Sequence, residues 1–465
     1  MRYISTRGGA PEVGFIEAIM GGLARDGGLY VPRSWPKITA AEIAAYASRP
    51  YAEVAASILR RFTGEDLADD VVDRLCARAY AGFDHPAVAP LVQLGRGLFL
   101  LELFHGPSLA FKDIAMQLLV RLYDHVLAAN GRVATIVCAT SGDTGGAAVE
   151  AFRGLAAIRL VVLFPAGRIS EVQRRFMTTA DEANVHVAAL DGDFDDCQAI
   201  LKALFADDEE FVRNVRLTAV NSINLARIIA QTVYYFTAAA ALGSPARGMT
   251  FAVPTGNFGD AYAGHAAVAM GLPVERLIVA TNANDIVARA LEYGRYERGP
   301  TQATTSPAMD IQVASNFERL WFECSGRDSR STAAAFQTFA RTGSVDIPEA
   351  TLGAMREFMG GVAISDRAAA AMMRATFEES GMFIDPHTAV ALAGARAIAD
   401  RTSIAPTVVL STAHPAKFPE AVRAATGVAP PVPARVLRLQ GLKEKFDALP
   451  ARVETVKAYV RSAAA

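Results

Sequence analysis

The stretch RVATIVCATSGDTGGAAVEAF, residues 132–152, decides the fold. Its first part is a short apolar run that is typical of a buried strand, and its last part keeps helical spacing. Between them, the glycines of SGDTGG allow a tight turn that brings the free N–H groups of a helix N-terminus to the end of the strand. This order of elements predicts an α/β protein that binds a ligand at the carboxyl end of a parallel strand.

The same alternation of strand and helix patterns extends along most of the chain. Its apolar runs are GLFLLELF (97–104), IRLVVLF (158–164), NVHVAAL (184–190), RLTAVNS (216–222), MTFAVPT (249–255), RLIVATNAND (276–285) and APTVVLSTA (405–413). Helical patterns separate most of these runs, which indicates parallel strands with crossover helices. The first ninety-odd residues instead have the three- and four-residue apolar spacing that predicts a mainly helical segment. A polar stretch at 294–320 predicts an ordered loop over a site.

Composition excludes several classes of protein. The chain has 465 residues, with 46 Lys and Arg against 48 Asp and Glu, so no overall basic excess favours nucleic acid or an anionic membrane. Its start lacks the apolar run of a signal peptide, and we expect a cytoplasmic protein. The four cysteines form no C-x-x-C pair or Cys/His cluster, so we expect neither a metal site nor a disulfide framework.

Two further glycine or turn loops follow predicted strands, namely TGNFGD (255–260) and TAHP (412–415). A nicotinamide dinucleotide requires G-x-G-x-x-G and an acidic residue after the next strand, and the SGDTGG loop has neither. A Walker phosphate loop is excluded because the chain contains no Gly-Lys dipeptide. These loops therefore favour another phosphorylated ligand.

Lys112 follows the turn HGPS near the start of a predicted helix. Ser108 is a suitable N-cap, and apolar residues at helical spacing continue until Asn130 and Gly131. The helix dipole and apolar neighbours lower the pKa of an amine in the first turn, which suits covalent chemistry with a carbonyl group. Local context fits an exposed lysine as well, so both interpretations stay open.

Six segments occur along the chain in the order LELFHGPSLAFKD, ATSGDTGGAA, NSINLARI, VPTGNFGD, DPHTAV and LSTAHPAKF, after the opening STRGGAPEVGFIEAIMGGLARDGGLYVP. In order and approximate spacing these six segments resemble the threonine synthase family, and the opening is similar to the family's amino-terminal signature. The whole resemblance runs from residue 3 to about residue 425. The resemblance implies a pyridoxal-phosphate enzyme that is built like the tryptophan synthase β subunit.

That fold consists of two open, mostly parallel sheets flanked by helices, with the cofactor between them. Applied to this chain, it predicts a mainly helical N-terminal domain at 1–95 and a helical tail at 426–465. A smaller α/β domain at 96–225 would carry the Schiff-base lysine and the SGDTG loop, and a larger one at 226–425 would bind pyridoxal phosphate.

The resemblance also assigns the cofactor site. Lys112 matches the lysine that binds the cofactor covalently, and Thr412, next to Ser411, matches the hydroxyl that faces the pyridine nitrogen. The GNFG loop matches the residues that hold the cofactor phosphate, with Asp260 as a neighbour. The predicted cofactor residues are Lys112, Gly256, Asn257, Phe258, Gly259, Asp260 and Thr412.

The resemblance implies that the substrate is O-phospho-L-homoserine, which is converted with water into threonine and phosphate. Its SGDTG segment would receive the substrate carboxylate or the cofactor's ring oxygen. Because the net charge is near zero, a few placed cations must hold the leaving phosphate. The three-residue spacing of Asn221, Asn224 and Arg227 predicts one polar helix face. The substrate candidates are Ser141, Asp143, Thr144, Asn221, Asn224, Arg227 and Lys417, with Arg174 and Arg175 as weaker cations.

Three alternatives stay open at this point. A phospho-lyase of the same family would release 2-oxobutyrate, ammonia and phosphate from the same substrate. A cofactor-free binding module would keep the fold, and an NAD oxidoreductase is the most distant option. The sequence leaves open whether the protein is a monomer or a homodimer, and histidines 105, 387 and 414 fit either the site or the core.

Overall fold

The computed structural model describes residues 1–206, 211, 215, 217–218, 220–398 and 405–464. The strands are Tyr3–Ser5, Tyr30–Pro32, Leu91–Gly95, Leu98–Glu102, Ala134–Ala139, Ile158–Pro165, Val185–Asp191, Leu217–Thr218, Met249–Pro254, Val274–Thr281, Arg295–Glu297, Ser344–Asp346, Met359–Ala363, Thr407–Ser411 and Asp447–Pro450. The α-helices are Phe15–Gly21, Ala40–Tyr46, Tyr51–Thr63, Asp69–Tyr80, Lys112–Ala129, Asp143–Phe152, Glu171–Thr178, Phe194–Ala206, Leu225–Ala241, Gly259–Ala269, Ile286–Tyr293, Phe317–Cys324, Ser329–Thr342, Glu349–Phe358, Asp366–Ser380, Pro386–Ile398, Pro419–Thr426, Ala434–Gln440 and Val453–Ala464. None of the described helices has the length and apolarity that a bilayer span requires.

The smaller of the two large sheets has five strands, which are all parallel. Its spatial order is Asp447–Pro450, Val185–Asp191, Ile158–Pro165, Ala134–Ala139 and Leu217–Thr218. The strand Ala134–Ala139 is buried at five of its six positions, and four of these five are apolar, as expected for an interior parallel strand with helices on both faces. This sheet therefore brings the SGDTGG loop to its carboxyl edge.

The larger sheet has six strands in the order Met359–Ala363, Val274–Thr281, Met249–Pro254, Thr407–Ser411, Leu98–Glu102 and Leu91–Gly95. All neighbours are parallel except the last pair, which forms a hairpin. Three adjacent parallel strands therefore end at one edge, and each leads into a predicted site segment. Residues 103–112, 255–260 and 412–417 follow these three strands.

The first eighty residues form a short antiparallel pair, Tyr3–Ser5 with Tyr30–Pro32, and four helices. The helices Ala40–Tyr46 and Tyr51–Thr63 pack against Leu225–Ala241, while Asp69–Tyr80 packs against Lys112–Ala129. The Tyr123 hydroxyl donates to the carbonyl of Ile19 at 2.8 Å. This region thus covers the helix that begins with Lys112.

Three strands lie outside the units to which the sequence assigned them. The predicted boundary at 95/96 cuts a hairpin, since Leu91–Gly95 pairs with Leu98–Glu102, and both belong to the larger sheet. The tail was predicted to be only helical, but Asp447–Pro450 adds an edge strand to the smaller sheet. Short edge strands carry a weak apolar pattern, because pairing through the backbone depends little on side chains. Arg216 and Ala219 of the predicted strand RLTAVNS lie outside the described residues.

Candidate active site

Lys112 is the first residue of its helix, Lys112–Ala129. The predicted N-cap, Ser108, does not cap it, and the capping position belongs to Phe111. The carboxylate of Asp113 instead accepts the Ser108 N–H and hydroxyl, both at 2.8 Å. The helix residue Asp113 thus accepts hydrogen bonds from Ser108 in the turn before the helix, whereas an N-cap serine would accept one from the helix. The prediction that Ser108 caps the helix was wrong.

Backbone pairing places Lys112 beside Thr412. The Phe111 N–H donates to the Thr412 carbonyl at 2.8 Å, and the His414 N–H donates to the Leu109 carbonyl at 3.1 Å. The two segments leave neighbouring parallel strands and stay paired beyond the edge of the sheet. The juxtaposition of the AFKD and STAHP motifs is therefore fixed by backbone hydrogen bonds.

Thr412 and Ser411 differ in what their hydroxyls bind. The Thr388 hydroxyl donates its single proton to Asp385, so the 2.9 Å contact between Thr388 and Ser411 must use the Ser411 proton. Within the described residues, the Thr412 hydroxyl has no hydrogen bond, although its residue is buried. Thr412 is therefore the hydroxyl that is free to meet a ligand.

The Lys112 amine lies among charged groups of both signs. Burial lowers its pKa below the ordinary lysine value, and Asp143 opposes this effect from a distance of 3.8 Å between Nζ and Oδ2. The cations Arg227 and Lys417 lower the pKa further. An amine that is biased toward its neutral form is suited to nucleophilic attack and proton transfer.

Asp143 is the centre of a buried polar cluster. Its Oδ1 lies 2.8 Å from Lys417 Nζ and accepts the Gln173 amide at 3.0 Å. Burial alone raises the pKa of its carboxyl, but Lys417 and then Lys112 outweigh this effect and hold the pKa well below its ordinary value. Lys417 also donates to the Ser108 carbonyl at 2.8 Å. Asp143 and Lys417 thus neutralise each other beside Lys112.

The SGDTG loop is shaped by Thr140, whose hydroxyl oxygen accepts the N–H groups of Gly142 and Gly145, both at 2.9 Å. Gly142 has φ 124°, which strains any other residue, and a Cβ there would lie 2.6 Å from Gln173. Ser141 and Thr144 are half-buried, and neither hydroxyl has a hydrogen bond within the described part of the chain. These two hydroxyls are the loop's available donors.

The GNFG loop, residues 256–259, forms a nest at the start of the helix Gly259–Ala269. Phe258 occupies the N-cap position with φ 65°, the left-handed region, so successive backbone N–H groups turn toward one side. A Cβ on Gly256 would lie 2.8 Å from the Ala308 carbonyl. The predicted ordered loop at 294–320 packs here, because both Ala308 and Asn316 contact the nest.

Asp260, in the first turn of that helix, accepts the N–H of Ala261 at 2.9 Å. Burial raises the pKa of its carboxyl to about 6, and Lys112 partly opposes the shift. The carboxylate thus satisfies one unpaired N–H of the helix start, which resolves why an acidic residue can follow a phosphate-type loop.

The predicted face of Asn221, Asn224 and Arg227 is interrupted, because the helix begins at Leu225 with Asn224 as its N-cap. The Asn224 oxygen accepts from Ala226, and its amide donates to the Ile19 carbonyl at 2.7 Å and the Tyr123 hydroxyl at 3.0 Å. Both amide protons of Asn224 are therefore already bound, by Ile19 of the N-terminal region and by Tyr123. These two partners, Ile19 and Tyr123, are distant in sequence and cannot be recognised from spacing alone.

Arg227 has a different environment. It is 3% exposed, and its Nη1 donates to the Val220 carbonyl at 3.1 Å. Its Nε and the side-chain oxygen of Asn221 are buried without a hydrogen-bond partner within the described residues. Burial lowers the pKa of the guanidinium to about 10. The charge of Arg227 lowers the pKa of Lys112, and its Nε–H is unpaired within the described residues. Arg227 is therefore a cation of this site that has a donor available for a ligand.

The other candidates are engaged elsewhere. Arg174 forms an ion pair with Glu444, and Arg175 forms one with Glu171. His105 contacts Glu102 at 2.8 Å, and the ring of His387 lies between Asp385 and the Ala308 N–H. Burial lowers the pKa of His414 to about 4, and its ring accepts the Ala416 N–H.

Sequence reasoning missed two residues that organise the site. Gln173 holds Asp143, and the signal for it was the Ser170-x-x-Gln173 pattern, which forms a capping box. Asn316 holds the GNFG loop through the Asn257 carbonyl, with contacts of 3.1 Å and 3.2 Å. No local pattern marks Asn316, since its partners are far away in the chain.

Comparison with known proteins now decides the family. Residues 2–80 match the family model for the threonine synthase N terminus, residues 84–413 match that for pyridoxal-phosphate dependent enzymes, and residues 388–460 match that for the threonine synthase C-terminal region. A threonine synthase of Pseudomonas aeruginosa is 47% identical over 461 residues, which cover 99% of this chain and 98% of the relative. The chain belongs to the threonine synthase family. Its cofactor is accordingly pyridoxal phosphate, as the sequence predicted.

Two solved structures confirm the fold of this threonine synthase family member. A threonine synthase from Brucella melitensis with bound pyridoxal phosphate has a TM-score of 0.96 and 50% identity, and the match covers 100% of this chain and 99% of that one. A yeast threonine synthase has a TM-score of 0.93 and 36% identity, with 99% and 98% coverage. The predicted arrangement of two mostly parallel sheets flanked by helices is thus confirmed.

The residues of this chain fit the cofactor. A half-buried amine with a lowered pKa, a free hydroxyl and a nest of N–H groups follow the ends of three adjacent strands. They match the aldehyde, the pyridine nitrogen and the phosphate of pyridoxal phosphate in chemical character. Lys112, Thr412 and residues 256–259 are the groups that would hold it.

Proposed function

We propose that this protein converts O-phospho-L-homoserine and water into L-threonine and inorganic phosphate in the cytoplasm. The observation that carries the proposal is the meeting of Lys112, Thr412 and the GNFG loop at one sheet edge, opposite the SGDTG loop and Arg227. The reaction removes protons at Cα and Cβ, expels the γ-phosphate, returns one proton to Cγ and one to Cα, and adds water at Cβ. Each step needs a placed proton carrier or an anion site.

Pyridoxal phosphate supplies the electron sink that makes the α and β protons of an amino acid acidic. Lys112 would carry protons to and from the substrate carbons, since its pKa is already lowered. The hydroxyl of Thr412 would face the pyridine nitrogen, and a hydroxyl stabilises a positive nitrogen less than a carboxylate does. We infer that this moderates the electron sink and favours controlled proton transfers.

The substrate groups are proposed to divide between the two loops. Ser141 and Thr144 offer free hydroxyls for the carboxylate, and Arg227 offers an unpaired guanidinium N–H for the leaving phosphate. Asn221 lies beside this group with an unpaired side-chain oxygen. Lys417, predicted as a phosphate cation, is better explained as the charge partner of Asp143.

Product analysis tests the reaction. Purified holoenzyme and O-phospho-L-homoserine should give threonine and phosphate in equal amounts, because Cβ must receive water after the phosphate leaves. Chromatography of the amino acid, a phosphate assay and a keto-acid assay measure the three possible products. Phosphate with 2-oxobutyrate and ammonia, but without threonine, would identify the phospho-lyase instead.

Replacement of Arg227 by methionine should weaken substrate binding by about 2–4 kcal/mol, because a buried charge-assisted contact to phosphate is lost. The dissociation constant of a phosphonate analogue of the substrate measures this loss. Arg174→Met is the matched control, since Arg174 pairs with Glu444 and should leave the affinity unchanged. Equal affinities for Arg227→Met and the native enzyme would remove Arg227 from the phosphate site.

A further inference from the structure

Arg319 is fully buried and contacts Asn316, which in turn contacts the GNFG loop. Its Nε donates to the Tyr30 carbonyl at 3.0 Å, its Nη2 donates to the Ile223 carbonyl at 2.7 Å, and its Nη1 donates to the side-chain oxygen of Asn316. Within the described residues, no carboxylate lies within ion-pair distance of this guanidinium. The adjacent Glu318 pairs with Arg7 instead.

A buried cation that is bonded only to neutral oxygens is unusual, because the charge loses its hydration without an opposite charge to replace it. The pKa of Arg319 accordingly falls to about 10 through burial. Three hydrogen bonds in three directions hold its planar side chain rigidly. This geometry uses the fixed fork of a guanidinium, which a lysine cannot reproduce.

Asn316 links Arg319 to the GNFG loop by hydrogen bonds. Arg319 binds the Asn316 oxygen, which directs the amide group of Asn316 the other way. That amide donates to the Asn257 carbonyl at 3.2 Å and to the Ser222 carbonyl at 3.1 Å, and the Asn316 backbone N–H also donates to Asn257, at 3.1 Å. The Asn257 carbonyl is thus held by two donors.

Fixing this carbonyl fixes the N–H on the other side of the same peptide. In a trans peptide the C=O and N–H bonds point in opposite directions, so a carbonyl that points to Asn316 sends the Phe258 N–H away from it. Phe258 has φ 65°, which is unfavourable for a residue with a Cβ and needs support from its surroundings. Asn316 provides that support by hydrogen bonding.

We propose that Arg319 is a positioning residue for the cofactor phosphate. It orients Asn316, which fixes the peptide between Asn257 and Phe258, and its unpaired charge makes the potential behind the nest more positive. The proposal rests on the assignment of residues 256–259 to the cofactor phosphate. It predicts that Arg319 contributes to binding through the phosphate group and not through the ring.

The test compares pyridoxal phosphate with pyridoxal, which lacks the phosphate, as ligands of the apoenzyme. For Arg319→Met, the dissociation constant of pyridoxal phosphate should rise about tenfold or more, the size of one lost charge-assisted contact. The dissociation constant of pyridoxal should stay within about twofold. Arg319→Lys should raise the dissociation constant of pyridoxal phosphate less than Arg319→Met does, because lysine keeps the charge but cannot reproduce the three hydrogen bonds of the planar guanidinium. Equal losses for both ligands, or no loss for either, would overturn the proposal.

Two further variants, Asn316→Ala and Gly256→Ala, test the proposal even if Arg319→Met does not fold. If Arg319→Met does not fold, as judged by circular dichroism, the same ratio is measured for Asn316→Ala, which removes the link and keeps the cation. Gly256→Ala places a Cβ 2.8 Å from the Ala308 carbonyl and tests the loop itself. A phosphate-specific loss in Gly256→Ala without one in Arg319→Met or Asn316→Ala rejects only the role of Arg319. Absence of the loss in all three variants rejects the loop assignment as well.

Discussion

Replacement of Lys112 by alanine should abolish covalent retention of the cofactor and lower turnover by about 10³-fold or more. Lys112 follows Phe111, whose backbone N–H binds the Thr412 carbonyl, and its amine lies 3.8 Å from Asp143. Lys417, the fully buried lysine near Asp143, is already bound to Asp143 and Ser108. It therefore cannot replace the lost amine without breaking that pair.

The fold should survive this substitution. Burial disfavours the charged form of Lys112, and Asp143 keeps its nearer cation, Lys417, so removal of Lys112 should cost little in the free energy of unfolding. Borohydride reduction followed by mass spectrometry measures covalent attachment, and phosphate release measures turnover. Lys443→Ala, at an exposed position in the tail, is the control and should behave like the native enzyme. Turnover of Lys112→Ala within tenfold of the native value would exclude Lys112 as the reacting amine.

The three loops of the site could be predicted from sequence because each follows a buried apolar strand. Strands of a parallel sheet end at the same edge, so residues 255–260 and 412–417 meet although they are far apart in the chain. Glycine and hydroxyl residues at those ends then indicate anion binding. Local sequence patterns were sufficient to predict these loops, because the parallel sheet brings strand ends that are distant in the chain to the same edge.

The errors have the opposite cause. Ser108 has the pattern of an N-cap, but its hydrogen bonds go to Asp113, and its carbonyl binds Lys417, 309 residues away. Asn224 follows the helical spacing of Arg227, yet its amide binds Ile19, 205 residues away. Side chains whose partners come from distant segments leave no periodic signal. The hydrogen bonds from Asn316 to the GNFG loop also join distant segments, so no local pattern predicts the link from Arg319 through Asn316 to that loop.

The buried pair of Lys417 and Asp143 gives the second large expected effect. Lys417→Met leaves the Asp143 carboxylate buried without its nearest cation, and breaking such a pair costs about 3–5 kcal/mol. We expect about 3 kcal/mol in the free energy of unfolding of the apoenzyme at neutral pH, because Lys112, 3.8 Å away, still compensates in part. Urea unfolding followed by circular dichroism measures the loss.

The pH dependence of this loss of stability follows from the direction in which the pKa of Asp143 is shifted. In the native protein the pKa of Asp143 is below its ordinary value of 3.8, so the stabilisation is present above that value and is lost as pH falls toward the native pKa. Without Lys417, burial should raise the pKa of Asp143, and protonation then removes the unpaired charge. The deficit of Lys417→Met should therefore shrink as the pH is lowered from about 7 to about 4.

A double variant separates this explanation from simple loss of packing. Lys417→Met with Asp143→Asn removes both charges and should recover most of the lost stability, since a buried ion pair can be replaced by neutral groups at small cost. The double variant should also lose the pH dependence of the deficit. If it is less stable than Lys417→Met at neutral pH, the charge of Asp143 is compensated by groups other than Lys417. The buried pair would then not be the reason why an acidic side chain can lie beside Lys112.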